Sequence, residues 1–159
     1  MRTLLIFRML VGVAIALLLT AIVTSHWQII GIHQPPIRTN IGLWQLCSKT
    51  QDNSYVCQAT KVDSSHNLIL YVIRFLTILS VIVACVGMFI GNKTISLILI
   101  GTTILLSGLS TFFYSTQLEN YFSENFDKLM YSRYGYSYYI QCTAIIILLA
   151  ALLLSCLRS

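Results

Sequence analysis

Four long stretches carry almost no charge: Leu4 to Thr24, Leu68 to Ile90, Ile95 to Ser115 and Tyr138 to Leu157, interrupted only by Arg8 and Arg74. A helix needs roughly 20 apolar residues to cross about 30 Å of hydrocarbon. Lipid offers no partner to backbone N–H and C=O groups, so such runs must satisfy them internally, as helices. Composition agrees: 57% of residues are hydrophobic and 9% charged, where soluble domains carry roughly 25% charged residues. The predicted fold class is a mainly α membrane protein, a four-helix bundle in the lipid bilayer with a small extracellular antiparallel β-sheet. It forms one tetraspan unit over residues 1–159, with a first loop at 25–67 and a second at 116–137.

The first run follows Arg2 and contains Arg8, and Val23-Thr24-Ser25 resembles a signal-peptidase site. Its apolar stretch is longer than the roughly 7–15 residues of a signal-peptide core, so it is expected to remain as a span.

Charge placement predicts orientation. All five acidic residues (Asp52, Asp63, Glu119, Glu124, Asp127) lie in the two loops, where Arg38, Lys49, Lys61, Lys128 and Arg133 balance them. The net charge of +5 comes from Arg2, Arg8, Lys93, Arg158 and Arg74. The positive-inside rule then puts both termini and the turn at 91–94 in the cytoplasm of a multi-pass plasma-membrane protein. The positive charge thus reports topology and gives no support to a nucleic-acid partner. Asn92-Lys93-Thr94 has the form of a glycosylation sequon, but on the cytoplasmic side it is expected to carry no glycan.

Of five cysteines, Cys47 and Cys57 fall in the first loop, on the oxidising side, while Cys85, Cys142 and Cys156 fall in spans. A disulfide between the loop pair is expected. The alternative, free thiols or a metal site, has neither CxxC spacing nor a converging His pair behind it. "HWQIIGIH", "LWQLCSK" and "SYVCQAT" in the same loop read as short strands, rich in β-branched and aromatic residues. A Cys47–Cys57 bridge would staple two antiparallel neighbours.

Gly12/Ala16, Gly87/Gly91 and the seven-residue spacing of Gly101 and Gly108 suit close helix approach, within the bundle or, as the alternative, in dimerisation. The second loop is dense in aromatics, among them Tyr121, Phe122 and Phe126. They read either as an interfacial belt or as an adhesive surface for contacts in trans.

Trp27, then Gly42-Leu43-Trp44, Cys47, Cys57 and Arg74 together resemble the W…GLW…C…C…R signature of the claudin superfamily. That group includes the claudins, the peripheral myelin and epithelial membrane proteins and the lens fibre membrane intrinsic protein. "RFLTILS", "GLSTFFYST" and "YGYSYYI" look like family landmarks in the same order, so the resemblance runs through the whole chain. It implies that Trp27 and Trp44 sit at the lipid surface while packing on the sheet, and that Leu43 fills the space between sheet and bundle. Arg74, costly inside a span, is expected to reach loop carbonyls or an acidic partner, the alternative being that it snorkels to water.

The resemblance implies a protein of cell–cell contacts or of a paracellular barrier, self-associating in cis and in trans and placed at cell–cell junctions. The alternatives are an auxiliary subunit of another membrane protein, a channel or receptor, or a peripheral-myelin-like organiser of the membrane. Claudins usually end in a tail that binds PDZ scaffolds, whereas only Arg158 and Ser159 follow the last apolar run here, so no such partner is expected; where ion-selective claudins tend to place pore-lining charges this chain has Gln58, Ala59 and Thr60 before Lys61, so the resemblance does not extend to a charge-selective pore. No cofactor, metal or catalytic residue is expected: His26, His33 and His66 have no ligand spacing, and the spans hold no acidic relay. Cys156, near the cytoplasmic face, is a palmitoylation candidate or an unmodified thiol.

Overall fold

The computed structural model describes residues 2–32, 37–49, 54–59, 67–125 and 130–157. Among these, four helices are long and apolar enough to cross a membrane. They are α1 (Arg2–Val23), α2 (Asn67–Phe89), α3 (Lys93–Asn125) and α4 (Tyr136–Cys156). α1 packs on α2 and α4, and α3 on the same two helices, so the bundle closes in an up-and-down order.

An apolar cluster fills the part of the bundle remote from the sheet. Val11, Ala14, Ile15 and Leu18 of α1 meet Val81 and Ala84 of α2, Ile100 of α3, and Ala144, Leu148 and Ala151 of α4. Nearer the sheet the helices are clasped by buried polar groups. Thr77 Oγ1 lies 2.6 Å from Ser110 Oγ, and Gln141 Nε2 donates to Thr111 Oγ1 at 3.0 Å and to the Ser107 carbonyl at 3.2 Å. Lipid cannot drive helices together by the hydrophobic effect, so small residues and such hydrogen bonds take that role.

Gly87 supplies a close approach: a Cβ there would sit 3.1 Å from Leu99 Cβ, while Ser96 Oγ donates to the Gly87 carbonyl at 2.6 Å. The expectation of close packing within the bundle is corrected for Gly91, Gly101 and Gly108, because a Cβ at any of them would have no neighbour within 4 Å. The seven-residue spacing of Gly101 and Gly108 puts both on one side of α3, and that side is turned away from the other helices. Asn92 proves to be a helix cap, its Oδ1 accepting from the backbone N–H of Thr94 at 3.0 Å and of Ile95 at 3.3 Å.

The sheet stands at the end of the bundle where α1 and α3 finish and α2 and α4 begin. Its strands are β1 (Gln28–Ile32), β2 (Ile37–Ile41), β3 (Gln45–Lys49), β4 (Tyr55–Ala59) and β5 (Met130–Tyr134), in the order β4-β3-β2-β1-β5. All pairings are antiparallel, with Cys47 opposite Cys57 and Ile30 of β1 opposite both Thr39 of β2 and Ser132 of β5.

Two features depart from the sequence reading. α3 continues for 33 residues, about 50 Å at 1.5 Å per residue, and so projects beyond any bilayer core. Its last turns occupy part of the predicted second loop. A helix needs no further instruction to continue past the lipid when residues such as Gln117, Leu118 and Glu119 favour it. The second departure is β5, which takes Met130–Tyr134 of that loop into the sheet as an edge strand against β1.

Candidate functional site: the joint and the exposed sheet

Three separate parts of the chain meet where sheet and bundle join. The Gly42-Leu43-Trp44 turn links β2 to β3, closed by Gly42 N–H donating to the Gln45 carbonyl at 2.8 Å. Its tip drives Leu43 into a buried cluster with Ala21, Trp27, Ile73 and Tyr114. Leu43 therefore occupies the space between sheet and bundle.

Trp27 differs from expectation. Instead of lying at the lipid surface, it is 0% exposed, and its Nε1 donates to the Ala21 carbonyl at 2.7 Å. That bond satisfies one of the orphan carbonyls in the last turn of α1. The ring also tilts against Tyr114, 5.0 Å between centroids. Trp44 is the tryptophan that reaches the surface, 38% exposed.

Arg74 on α2 is 8% exposed. Its Nε donates to the Leu43 carbonyl at 2.6 Å, and the guanidinium carbon lies 4.9 Å from the Trp44 ring centroid and 5.7 Å from that of Tyr71. One cation thus ties α2 to the turn of the sheet through a charge-assisted hydrogen bond and two ring faces.

Two glycines permit the joint. A Cβ on Gly42 would come within 2.5 Å of Ser25 Cα, in the chain leaving α1. One on Gly135 would collide with the backbone carbonyl of His26. Gly135 N–H donates to the Trp27 carbonyl at 2.8 Å and Ser137 N–H to the His26 carbonyl at 3.1 Å, so the entry of β1 caps α4. Gly135 stands inside the "YGYSYYI" landmark, yet sequence reasoning assigned it no part, because its neighbour is more than 100 residues away.

His26 is a second residue that sequence reading left without a role. Its ring stacks on Tyr136 at 4.6 Å, Nδ1 lies 2.9 Å from the Tyr136 hydroxyl, and the Asn40 amide donates to Nε2 at 3.2 Å. This arrangement suits the neutral ring. Burial, and then the Arg38 charge, push its pKa below the ordinary 6.5. The unfolded chain therefore takes up a proton more readily than the folded one. Stability contributed by His26 is complete above about pH 6.5 and is lost as pH falls from there through the lower folded value. Thermal unfolding followed in detergent is expected at lower temperature at pH 5 than at pH 7, with a flatter profile in His26→Gln.

The sheet itself is rigidified by the Cys47–Cys57 disulfide across β3 and β4, with 10 residues of sequence separation. In the chain-entropy account such a closure is worth about 2–3 kcal/mol. Cys47→Ser/Cys57→Ser is expected to lower the unfolding free energy by about that amount, with a reductant producing the same shift in the wild type. β4 forms one edge of the sheet, every residue in it exposed, Tyr55 at 53%. An edge strand presents unpaired backbone groups to a neighbour, and this one holds no Lys or Pro to discourage pairing.

Of the aromatics expected to make trans contacts, Tyr121 and Phe122 lie on the distal turns of α3, while Phe126 falls outside the described residues. Cys156 is exposed on the last turn of α4, at the opposite end of the bundle, and Cys85 and Cys142 are half-buried along it. Among the described residues no group of three His, Cys, Asp or Glu side chains converges as a metal site would require.

The model of the PMP-22/EMP/MP20/Claudin family matches residues 1–154. No curated protein matches the sequence.

Proposed function

Because the chain belongs to the PMP-22/EMP/MP20/Claudin family, we propose that this multi-pass membrane protein forms cell–cell contacts or a paracellular barrier, its sheet and the segment after α3 associating laterally and across apposed membranes. In this reading it resides in the plasma membrane with both termini cytoplasmic, following the distribution of Arg2, Arg8, Lys93 and Arg158. The sheet then faces outward.

The observation that carries the proposal is the exposed β4 edge on a sheet that cannot flex freely. The disulfide holds β4 to β3, and Trp27, Leu43 and Arg74 hold the sheet to the bundle. A surface ordered before it meets a partner loses less conformational entropy on binding. Expression in cells that lack junctions tests the reading. Enrichment at contacts, aggregation of suspended cells and raised transepithelial resistance are expected; correct surface delivery with none of the three would overturn it.

A second reading, an auxiliary subunit packed beside a larger membrane protein, draws on the open notches at Gly101 and Gly108. Small residues facing away from the bundle allow close approach of a foreign helix. One stoichiometric larger membrane protein co-purifying with the wild type, and lost from a Gly101→Leu/Gly108→Leu variant, would favour it.

A further inference from the structure

We propose that Arg74 binds the phosphate of a membrane phospholipid, admitted between the Trp44 and Tyr71 rings at the outer face of α2. The guanidinium remains charged at every accessible pH and carries five donors arranged to match a phosphate. Nε is engaged by the Leu43 carbonyl, whereas Nη2 is buried and has no hydrogen-bond partner among the described residues. A buried charged donor left unpaired is strongly unfavourable.

The surroundings identify the occupant. Arg74 lies six residues into α2 from Leu68, about 9 Å along the axis, near the headgroup level at which Trp and Tyr rings gather. Leu68, Tyr71, Val72 and Phe75 on the same helix are exposed and apolar or aromatic, so lipid borders the site directly. At that depth the anion a bilayer supplies is the headgroup phosphate. The two covering rings are themselves partly exposed, Tyr71 at 53%, and can swing outward on their own side-chain torsions. The bond from Nε to Leu43 meanwhile keeps the guanidinium fork fixed for two parallel N–H···O bonds.

The test uses the full chain purified in detergent, with native mass spectrometry and thermal unfolding as readouts. Phosphatidylcholine and a galactosyl diglyceride with the same acyl chains are both uncharged overall and differ in the phosphate. The wild type is expected to retain one phosphatidylcholine about tenfold more strongly than the galactolipid. Arg74→Gln should lose that preference, and Arg74→Lys should keep part of it. Equal retention of the two lipids by the wild type would overturn the proposal without recourse to any variant, as would an unchanged preference in a folded Arg74→Gln protein. Inorganic phosphate at millimolar concentration is expected not to displace the lipid; displacement would reassign the site to free phosphate and overturn the lipid assignment.

Discussion

Gly135→Ala is expected to prevent the sheet from docking on the bundle, destabilising the protein by more than about 4 kcal/mol, within the exceptional tail of single substitutions. The added methyl would occupy the space of the His26 carbonyl oxygen, with the carbonyl carbon of Trp27 only 3.1 Å away. These are backbone atoms, so no side-chain rotation relieves the overlap. Moving them breaks the bond from Gly135 N–H to the Trp27 carbonyl and the bond from Ser137 N–H to His26, uncapping α4 as it separates β5 from β1. Folding yield in detergent, with cysteine labelling to report the Cys47–Cys57 bond, provides the measurement. A variant with wild-type yield and melting temperature would show that α4 does not abut β1 in this way. Gly42→Ala acts in the same direction against Ser25.

Trp27→Ala is the second large effect, with an expected loss of about 3–5 kcal/mol, the range for deleting a buried Trp or Phe side chain. The ring fills the centre of the joint among Ala21, Leu43, Ile73 and Tyr114, and its removal leaves a cavity and takes from the Ala21 carbonyl its shorter hydrogen bond, with the 3.3 Å one from Thr24 Oγ1 remaining. Trp27→Phe retains most of the volume and loses the hydrogen bond, so it should cost less, about 1–3 kcal/mol. Trp44→Ala is the informative contrast. The Trp44 ring is partly exposed and lies against the Arg74 guanidinium, a contact worth about 0.5–2 kcal/mol. Denaturant unfolding of the three variants checks the order. Equal losses at Trp27 and Trp44 would contradict the division between a core ring and a surface ring.

That division could not be read from the sequence, where both tryptophans follow polar or turn residues and both suit a membrane interface. Trp27 is buried because Ala21 of α1, Leu43 of the turn, Ile73 of α2 and Tyr114 of α3, distant from one another in the chain, close around its ring. Ile37–Ile41 carries no strand signal, since Arg38, Thr39 and Asn40 give it no apolar alternation; its place follows from hydrogen bonding to β1 and β3 on either side. Asn40 is nevertheless buried, beside His26. The strand at Met130–Tyr134 read as part of an aromatic belt, because its partner β1 lies about a hundred residues earlier. Gly101 and Gly108 err in the other direction: their spacing suits packing, but the face that bears them points away from the bundle.

What the sequence determined by itself was the number of membrane crossings, the helical character of each and the position of the two cysteines able to bridge outside them. Partition into lipid is accumulated residue by residue along one segment and needs no knowledge of any other. The tertiary structure alone decided that β5 closes the sheet, that α3 continues beyond the bilayer, that Trp27 is core while Trp44 is surface, and that Gly42 and Gly135 must lack side chains. Each of these depends on backbone atoms brought together from distant parts of the chain, where the space left for a side chain is set by the partner and not by the local sequence.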